Sequence, residues 1–345
     1  MASPAGTSAQ GQNGRLESPQ ARRERLRNAF QHALMIPAGP RPPATPAEGP
    51  DPYGPAEPSW LDIDWREHTT RRRIGHTEVM VSDIGEGPPV IFIHGLAGCW
   101  QNWLENMPAL AAAGHRAIAL DLPGFGTSPM PAWDLSMPSY GSLIEVLVAD
   151  LGLRDVTLAG NSMGGLIVSE VASRQPGWLS RAVLVSPAGM LHASLNTAPM
   201  EVISRLTVAT APIVNRYQHM GLHRPGLRYR AFRQVFHQPL KMRKELLWEV
   251  MTRAINAPGF SQAMRSIVGF NLKERIQRID VPTLIVWGRE DRIIASQDAL
   301  RYQRRIVDSD LRIYEGCGHL AMAERPTRFN RELIEFLGGN GSLGS

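Results

Sequence analysis

Residues 156–165 form the segment that most constrains how this chain folds. They read Val-Thr-Leu-Ala-Gly-Asn-Ser-Met-Gly-Gly, a short apolar run followed by Gly-x-Ser-x-Gly and then by the start of a helical pattern. This order predicts a strand, a sharp turn and a helix, with glycines where side chains would crowd the turn. Ser162 is therefore predicted to project from the end of a strand as a nucleophile, and the alternative interpretation is an ordinary helix N-cap.

Two further segments supply partners for such a serine, whose hydroxyl needs a base and a group that orients the base. Residues 311–319 read as a strand and a glycine-rich loop that ends at His319, and an earlier buried strand is followed directly by Asp291. The chain order Ser162, Asp291, His319 is that of one known catalytic triad. Glu290 as the orienting acid, and a purely structural histidine at 319, are the alternatives.

A third requirement is a pair of hydrogen-bond donors for the oxyanion that forms when a serine attacks a carbonyl. Residues 90–98 read as a buried strand that runs into a glycine-containing loop, which can present the backbone N–H of Leu96. The second predicted donor is the backbone N–H of Met163, at the start of the helix that follows the serine. His94 is expected to shape its loop, and Asp121 to pin the loop after its own strand.

Five motifs together resemble the α/β-hydrolase family, in the branch that holds serine esterases and carbon–carbon bond hydrolases. The resemblance spans roughly residues 70–338, and it implies the α/β-hydrolase fold, a triad of Ser162, Asp291 and His319, and a helical cap that covers the site. The motifs are His94-Gly95, Asp-Leu-Pro-Gly-Phe-Gly-Thr-Ser at 121–128, Gly-Asn-Ser-Met-Gly at 160–164, Trp-Gly-Arg-Glu-Asp at 287–291 and Gly-Cys-Gly-His at 316–319.

The pattern of apolar runs predicts the α/β class, because continuous apolar strands that alternate with helices form a mostly parallel central sheet with helices on both faces. Ligands bind at the carboxyl ends of such strands, so Ser162, Leu96, Asp291 and His319 are expected to converge on one edge of the sheet. The predicted strands are 68–74, 77–84, 90–93, 116–120, 156–159, 182–185, 283–287 and 311–314, and the predicted helices include 139–151, 163–174 and 326–338.

Composition divides the chain into parts. A segment rich in proline, alanine, glycine and serine cannot bury enough apolar surface to offset its ordering entropy, so the N-terminal residues are predicted to be largely disordered. Within them, residues 21–36 predict a short basic amphipathic helix that contacts a membrane surface or a partner, or else packs as a tail. The predicted parts are a tail at 1–58, a core at 59–190 and 259–338, a helical cap at 191–258 and a flexible C-terminus at 339–345.

Several functional classes are not favoured by this sequence of 345 residues with a formal net charge of +5. No basic stretch is interleaved with aromatic residues, and no apolar run is long enough to cross a bilayer, so neither a nucleic-acid partner nor stable membrane insertion is predicted. Cys99 and Cys317 do not form a disulfide framework, and no secretory leader is visible, which favours the cytoplasm. No metal-ligand spacing occurs, so no metal and no cofactor are predicted, while a homodimer is left open.

Three functions remain. The first is hydrolysis of a carboxylic ester of a small to medium apolar acyl or aromatic substrate through an acyl-enzyme on Ser162. The second is carbon–carbon bond hydrolysis of vinylogous diketones from aromatic degradation, which residues 186–189 and 287–292 resemble. The loop at 94–98 lacks the Ser-Gly-Pro-Gly run common in that group, and Leu320 replaces its usual tryptophan. The third is a ligand-binding protein of the same fold without turnover.

Overall fold

The computed structural model describes residues 40–190, 222–254 and 257–339. The predicted amphipathic helix at 21–36, the first part of the predicted cap at 191–221 and the last residues at 340–345 lie outside the described residues.

One sheet of eight strands runs through the described part of the chain. Its strand order is β1-β2-β4-β3-β5-β6-β7-β8. The first two strands form an antiparallel pair, β2 is also antiparallel to β4, and every other neighbouring pair is parallel. The α/β prediction with a mostly parallel sheet is therefore confirmed. The strands are β1 (Thr69–Ile74), β2 (Thr77–Ile84), β3 (Pro89–Ile93), β4 (Arg116–Leu120), β5 (Val156–Asn161), β6 (Leu179–Val185), β7 (Thr283–Gly288) and β8 (Ser309–Tyr314).

Helices cover both faces of this sheet, because successive side chains of a strand point to opposite faces and both faces are apolar. In β3, Ile91 and Ile93 belong to one buried hydrophobic cluster, while Val90 and Phe92 belong to the other. The described α-helices are α1 (Trp65–His68), α2 (Met107–Ala112), α3 (Met137–Asp150), α4 (Met163–Ala172), α5 (Pro225–Phe232), α6 (Lys244–Ala254), α7 (Phe260–Gly269), α8 (Gln297–Gln303), α9 (Ala321–Glu324) and α10 (Pro326–Gly338).

The predicted bounds of helices and strands agree most closely with the structure where a local sequence signal marks the start or end of the element. The predicted helix 326–338 coincides with α10, which has Pro326 in its first turn and buries Phe329, Leu333 and Phe336. Strand β5 runs two residues beyond its predicted end, to Asn161, and β6 begins three residues before its predicted start. The polar and glycine residues in these extensions carry no strand pattern of their own. They are in strands because the neighbouring strands supply hydrogen-bond partners.

Residues 40–58, which we name the N-terminal arm, lie against the core, so the prediction of disorder is wrong for this part of the tail. The backbone N–H of Thr45 donates to the carbonyl of Ile313 in β8 at 2.8 Å, and the N–H of Ile313 donates to the Thr45 hydroxyl at 2.9 Å. The N–H of Ala56 donates to the buried carboxylate of Glu105 at 2.9 Å. A proline-rich chain is already extended, so it loses little entropy when the core supplies its hydrogen-bond partners.

The second part of the predicted cap, residues 222–254, is helical where it is described. It contains α5, α6 and the 3-10 turn Pro239–Lys241. Six of its buried apolar side chains belong to one of the two hydrophobic clusters of the core: Leu222, Phe232, Phe236, Met242, Leu246 and Leu247. These residues pack the insertion onto the core. The boundaries of a cap over the site stay a prediction.

Across residues 40–190, 222–254 and 257–339, no helix has both the length and the apolar character that a bilayer crossing requires.

Candidate active site

Ser162 stands on a strained turn between β5 and α4. Its backbone has φ +56° and ψ −114°, a conformation that residues other than glycine rarely adopt. The flanking glycines are sterically required: a Cβ at Gly160 would lie 2.3 Å from the carbonyl oxygen of Gly164, and one at Gly164 would lie 2.1 Å from the carbonyl oxygen of Ile93. The sharp strand-to-helix turn predicted from the sequence is therefore present, and such strain is typical of functional sites.

His319 and Asp291 are joined by a hydrogen bond between His319 Nδ1 and Asp291 Oδ2 at 2.7 Å. Both side chains are buried. The other carboxylate oxygen, Asp291 Oδ1, accepts from the backbone N–H groups of Ile293 at 2.8 Å and Ile294 at 3.0 Å. These two donors fix the carboxylate, so that Oδ2 is held toward the imidazole.

Glu290, the alternative orienting acid, takes a different partner. Its Oε2 accepts from the backbone N–H of Cys317 at 3.0 Å, and its Oε1 lies 3.9 Å from the guanidinium of Arg41. The contact to the histidine side chain is made by Asp291 instead. The structure thus brings the carboxylate of Asp291, and not that of Glu290, against the imidazole of His319.

Asn161 ties the segment of the serine to the segment of the histidine. Its side-chain amide donates to the backbone carbonyl of His319 at 3.2 Å and to that of Val185 at 3.1 Å. The residue next to Ser162 therefore contacts His319 directly, across 158 positions of sequence. The sequence analysis missed this contact, although a polar residue at the end of a buried strand is a signal for it.

The two predicted oxyanion donors flank the same turn. The loop after β3 approaches the serine closely, since a Cβ at Gly95 would lie 3.1 Å from the Cβ of Ser162. Among the residues that the structure describes, no hydrogen-bond acceptor is found for the backbone N–H of Leu96 or of Met163. An oxyanion hole requires N–H groups that are able to donate, and the assignment of these two donors stays a prediction.

His94 and Asp121 hold the loops around the site. His94 Nε2 accepts from the backbone N–H of Leu122 at 2.9 Å, so Nδ1 carries the hydrogen and donates to the carbonyl of Gly95 at 2.7 Å. Asp121 accepts from the backbone N–H groups of Trp100 and Thr127, each at 2.8 Å. Both side chains have the loop-shaping contacts that the sequence analysis expected of them.

The His94 site predicts a pH dependence of stability. Burial lowers the pKa of His94 below its ordinary value, so the folded protein binds fewer protons than the unfolded chain once the pH falls below about 6.5. The stability that His94 contributes is therefore present above that pH and is lost as the pH falls. We expect Tm to fall less steeply in His94→Asn than in wild type between about pH 7.5 and about pH 5.5. Equal slopes for the two proteins would contradict this assignment.

Among the residues that the structure describes, no three or more side chains of histidine, cysteine, aspartate or glutamate lie close enough together to bind a metal ion.

The sequence of this chain is similar to those of known proteins. Residues 88–326 match the family model of the alpha/beta hydrolase fold. The chain is 30% identical over 267 residues to the 2-hydroxy-6-oxo-6-phenylhexa-2,4-dienoate hydrolase of Comamonas testosteroni, with 74% of this chain and 90% of that protein covered. It is 31% identical over 277 residues to the non-heme chloroperoxidase CPO-A1 of Kitasatospora aureofaciens, with 75% and 96% covered.

The fold has close counterparts among solved structures. The crystal structure of bromoperoxidase from Bacillus anthracis superimposes with a TM-score of 0.66 at 22% identity, and the match covers 79% of this chain and all of that one. The chain therefore belongs to the α/β-hydrolase family. It is an enzyme of that family, as the motifs around Ser162 and His319 predicted.

Proposed function

We propose that this enzyme is a serine hydrolase that cleaves a carboxylic ester of a small to medium apolar acyl or aromatic substrate. The observation that carries the proposal is the buried His319–Asp291 hydrogen bond, which is tied through Asn161 to the strained turn of Ser162. A histidine oriented by a carboxylate, together with a serine on a sharp strand-to-helix turn, is the arrangement that makes an alcohol nucleophilic.

The proposed reaction runs in two halves. With its Nδ1–H donating to Asp291, the imidazole of His319 offers Nε2 to take the proton of Ser162 as the serine oxygen attacks the ester carbonyl. The N–H groups of Leu96 and Met163 stabilise the oxyanion, and the carbon–oxygen bond to the alcohol breaks as His319 protonates that oxygen. Water then attacks the acyl-enzyme with His319 as base, the acid is released, and Ser162 regains its proton.

Carbon–carbon bond hydrolysis is the second candidate. It is favoured by the relative from Comamonas testosteroni, whose name gives a phenyl-substituted hydroxy-oxo-dienoate as its substrate. The same three side chains could serve it, but the leaving group would be a carbon that must be protonated before the bond breaks. The loop at 94–98 and Leu320 depart from the pattern that our sequence analysis associated with that group.

A direct comparison of substrates separates the two candidates. We expect turnover of p-nitrophenyl esters, with the highest kcat/KM at a short or medium acyl chain, and a kcat/KM at least about a hundredfold lower for 2-hydroxy-6-oxo-6-phenylhexa-2,4-dienoate, because hydrolytic specificity follows differential binding of the transition state. The ester assay follows p-nitrophenolate release, and the dienoate assay follows loss of the substrate's colour. A kcat/KM for the dienoate above that of every ester would replace the first candidate by the second.

A further inference from the structure

Tyr53 of the N-terminal arm reaches the loop that carries His319, although it lies before residue 88, where the family match begins. Its hydroxyl donates to the carboxylate of Glu324 and accepts from the backbone N–H of Gln238 at 2.8 Å. The guanidinium of Arg325 lies 4.9 Å from the centre of the Tyr53 ring, and the ammonium of Lys241 lies 5.8 Å from it. The ring is thus held between α9 and the insertion, with its hydroxyl turned to the buried acid.

Glu324 is the centre of this contact. Its side chain is fully buried, Oε1 accepts from the backbone N–H of Gly318 at 2.8 Å, and Oε2 accepts from the backbone N–H of His237 at 2.8 Å as well as from Tyr53. Burial raises the pKa of Glu324 to about 8, whereas the hydrogen bonds from its three donors favour the charged form and act in the opposite direction. A buried carboxylate with three donors fixes the positions of all three.

These contacts converge on the backbone of the proposed base. The N–H of His319 donates to the carbonyl of Val235 at 2.8 Å, and the preceding residue, Gly318, is held by Glu324. A Cβ at Gly318 would lie 2.8 Å from Glu324 Oε1, from the backbone nitrogen of His237 and from the carbonyl oxygen of Val235. Three segments therefore meet at a glycine that has no side chain with which to anchor its own loop.

We propose that Tyr53 is a positioning residue that acts through Glu324 to hold the backbone of His319 at a fixed distance from Ser162. The inference rests on the proposed function, because it assigns Tyr53 a role only through the proposed base. A displacement of about 1 Å in a catalytic group is enough to slow a reaction by up to about a hundredfold, so a small relaxation of this loop has a kinetic effect larger than its effect on folding. The arm thereby supplies a part of the site that lies outside the matched family region.

The variant Tyr53→Phe tests this role, since it keeps the ring with its two cation–π contacts and removes only the hydroxyl. We expect kcat to fall about tenfold, which lies within the loss that a small displacement of a catalytic group produces, with KM changed less than about twofold. A fluorophosphonate probe is expected to label Ser162 to the same stoichiometry as in wild type. Rates expressed per labelled site separate a positioning effect from a loss of folded enzyme.

Tyr314→Phe is the matched control. The Tyr314 hydroxyl donates to Glu332 at 2.7 Å, and the guanidinium of Arg328 lies 4.1 Å from the centre of its ring. The same kind of tyrosine–glutamate bond is thus removed at a glutamate that also binds the Arg328 side chain, whereas Glu324 binds the backbone of Gly318. We expect a comparable fall in Tm with kcat unchanged. In a double-mutant cycle, Tyr53→Phe combined with Glu324→Gln is expected to lose no more than the larger of the two single losses.

Rates are measured on the ester or the dienoate, whichever the wild-type enzyme turns over faster. A kcat per labelled site in Tyr53→Phe equal to that of wild type or of Tyr314→Phe would overturn the positioning role while leaving the proposed function intact. Fully additive losses in the double-mutant cycle would overturn the path through Glu324. A wild-type enzyme that neither reacts with the probe nor turns over either substrate would overturn the proposed function, and this inference with it.

Discussion

Replacement of Ser162 by alanine is expected to lower kcat for p-nitrophenyl esters by about 10⁴-fold or more, while the protein still folds. The loss is this large because no other group replaces the attacking oxygen, and only binding and the oxyanion donors remain. The fold is expected to survive because alanine adds no atom at a position where Ser162 makes no side-chain cap hydrogen bond. Initial rates and a thermal melt on the same preparation measure both effects.

Ser169→Ala is the control for this experiment. Ser169 lies in the same helix, α4, is buried, and donates its hydroxyl to the carbonyl of Gly165 at 2.8 Å. Its removal costs a hydrogen bond of ordinary strength without touching the proposed triad, so kcat is expected to stay within about twofold of wild type. Wild-type turnover in Ser162→Ala would end the assignment of the nucleophile.

The variant Asp291→Asn is expected to lower kcat about 10⁴-fold with little change in KM. Because Oδ1 accepts from the N–H groups of Ile293 and Ile294, the amide oxygen of an asparagine takes that place and its NH₂ group faces His319. The imidazole then has to accept at Nδ1 and carry its hydrogen on Nε2, where it cannot take the serine proton. Steady-state kinetics of the purified variant measure the loss.

Glu290→Gln is the control for Asp291→Asn, because it changes the neighbouring acid and leaves Asp291 in place. A glutamine keeps an oxygen that can accept from the N–H of Cys317, so the loop is expected to hold and kcat to stay within about threefold of wild type. A large loss in Glu290→Gln together with a small one in Asp291→Asn would show that the roles are reversed.

The sequence predicted those parts of the structure whose signals are local. The turn at Ser162 is permitted by glycines within two residues of it, and the central strands β3, β5 and β7 are apolar on both faces, so each is visible in a short window. The pairing of His319 with Asp291 was also predictable, because both follow strands whose carboxyl ends meet at one edge of a parallel sheet.

Contacts between distant segments were not predictable in the same way. Tyr53 and Glu324 are 271 positions apart, and nothing in either neighbourhood indicates the other. The composition of the N-terminal arm shows that it cannot fold by itself, but composition does not show what partners a folded core offers to it. The core offers the carboxylates of Glu105 and Glu324 and the edge of β8 at Ile313.

The two outer strands of the sheet, β1 and β8, are protected in different ways from pairing with a further strand. At one border, Arg71, Arg72 and Arg73 of β1 are exposed, and charged side chains on an edge strand oppose pairing with a second strand. At the opposite border, Thr45 occupies both main-chain groups of Ile313 in β8. Neither outer strand therefore offers a free edge on which a second sheet could continue this one.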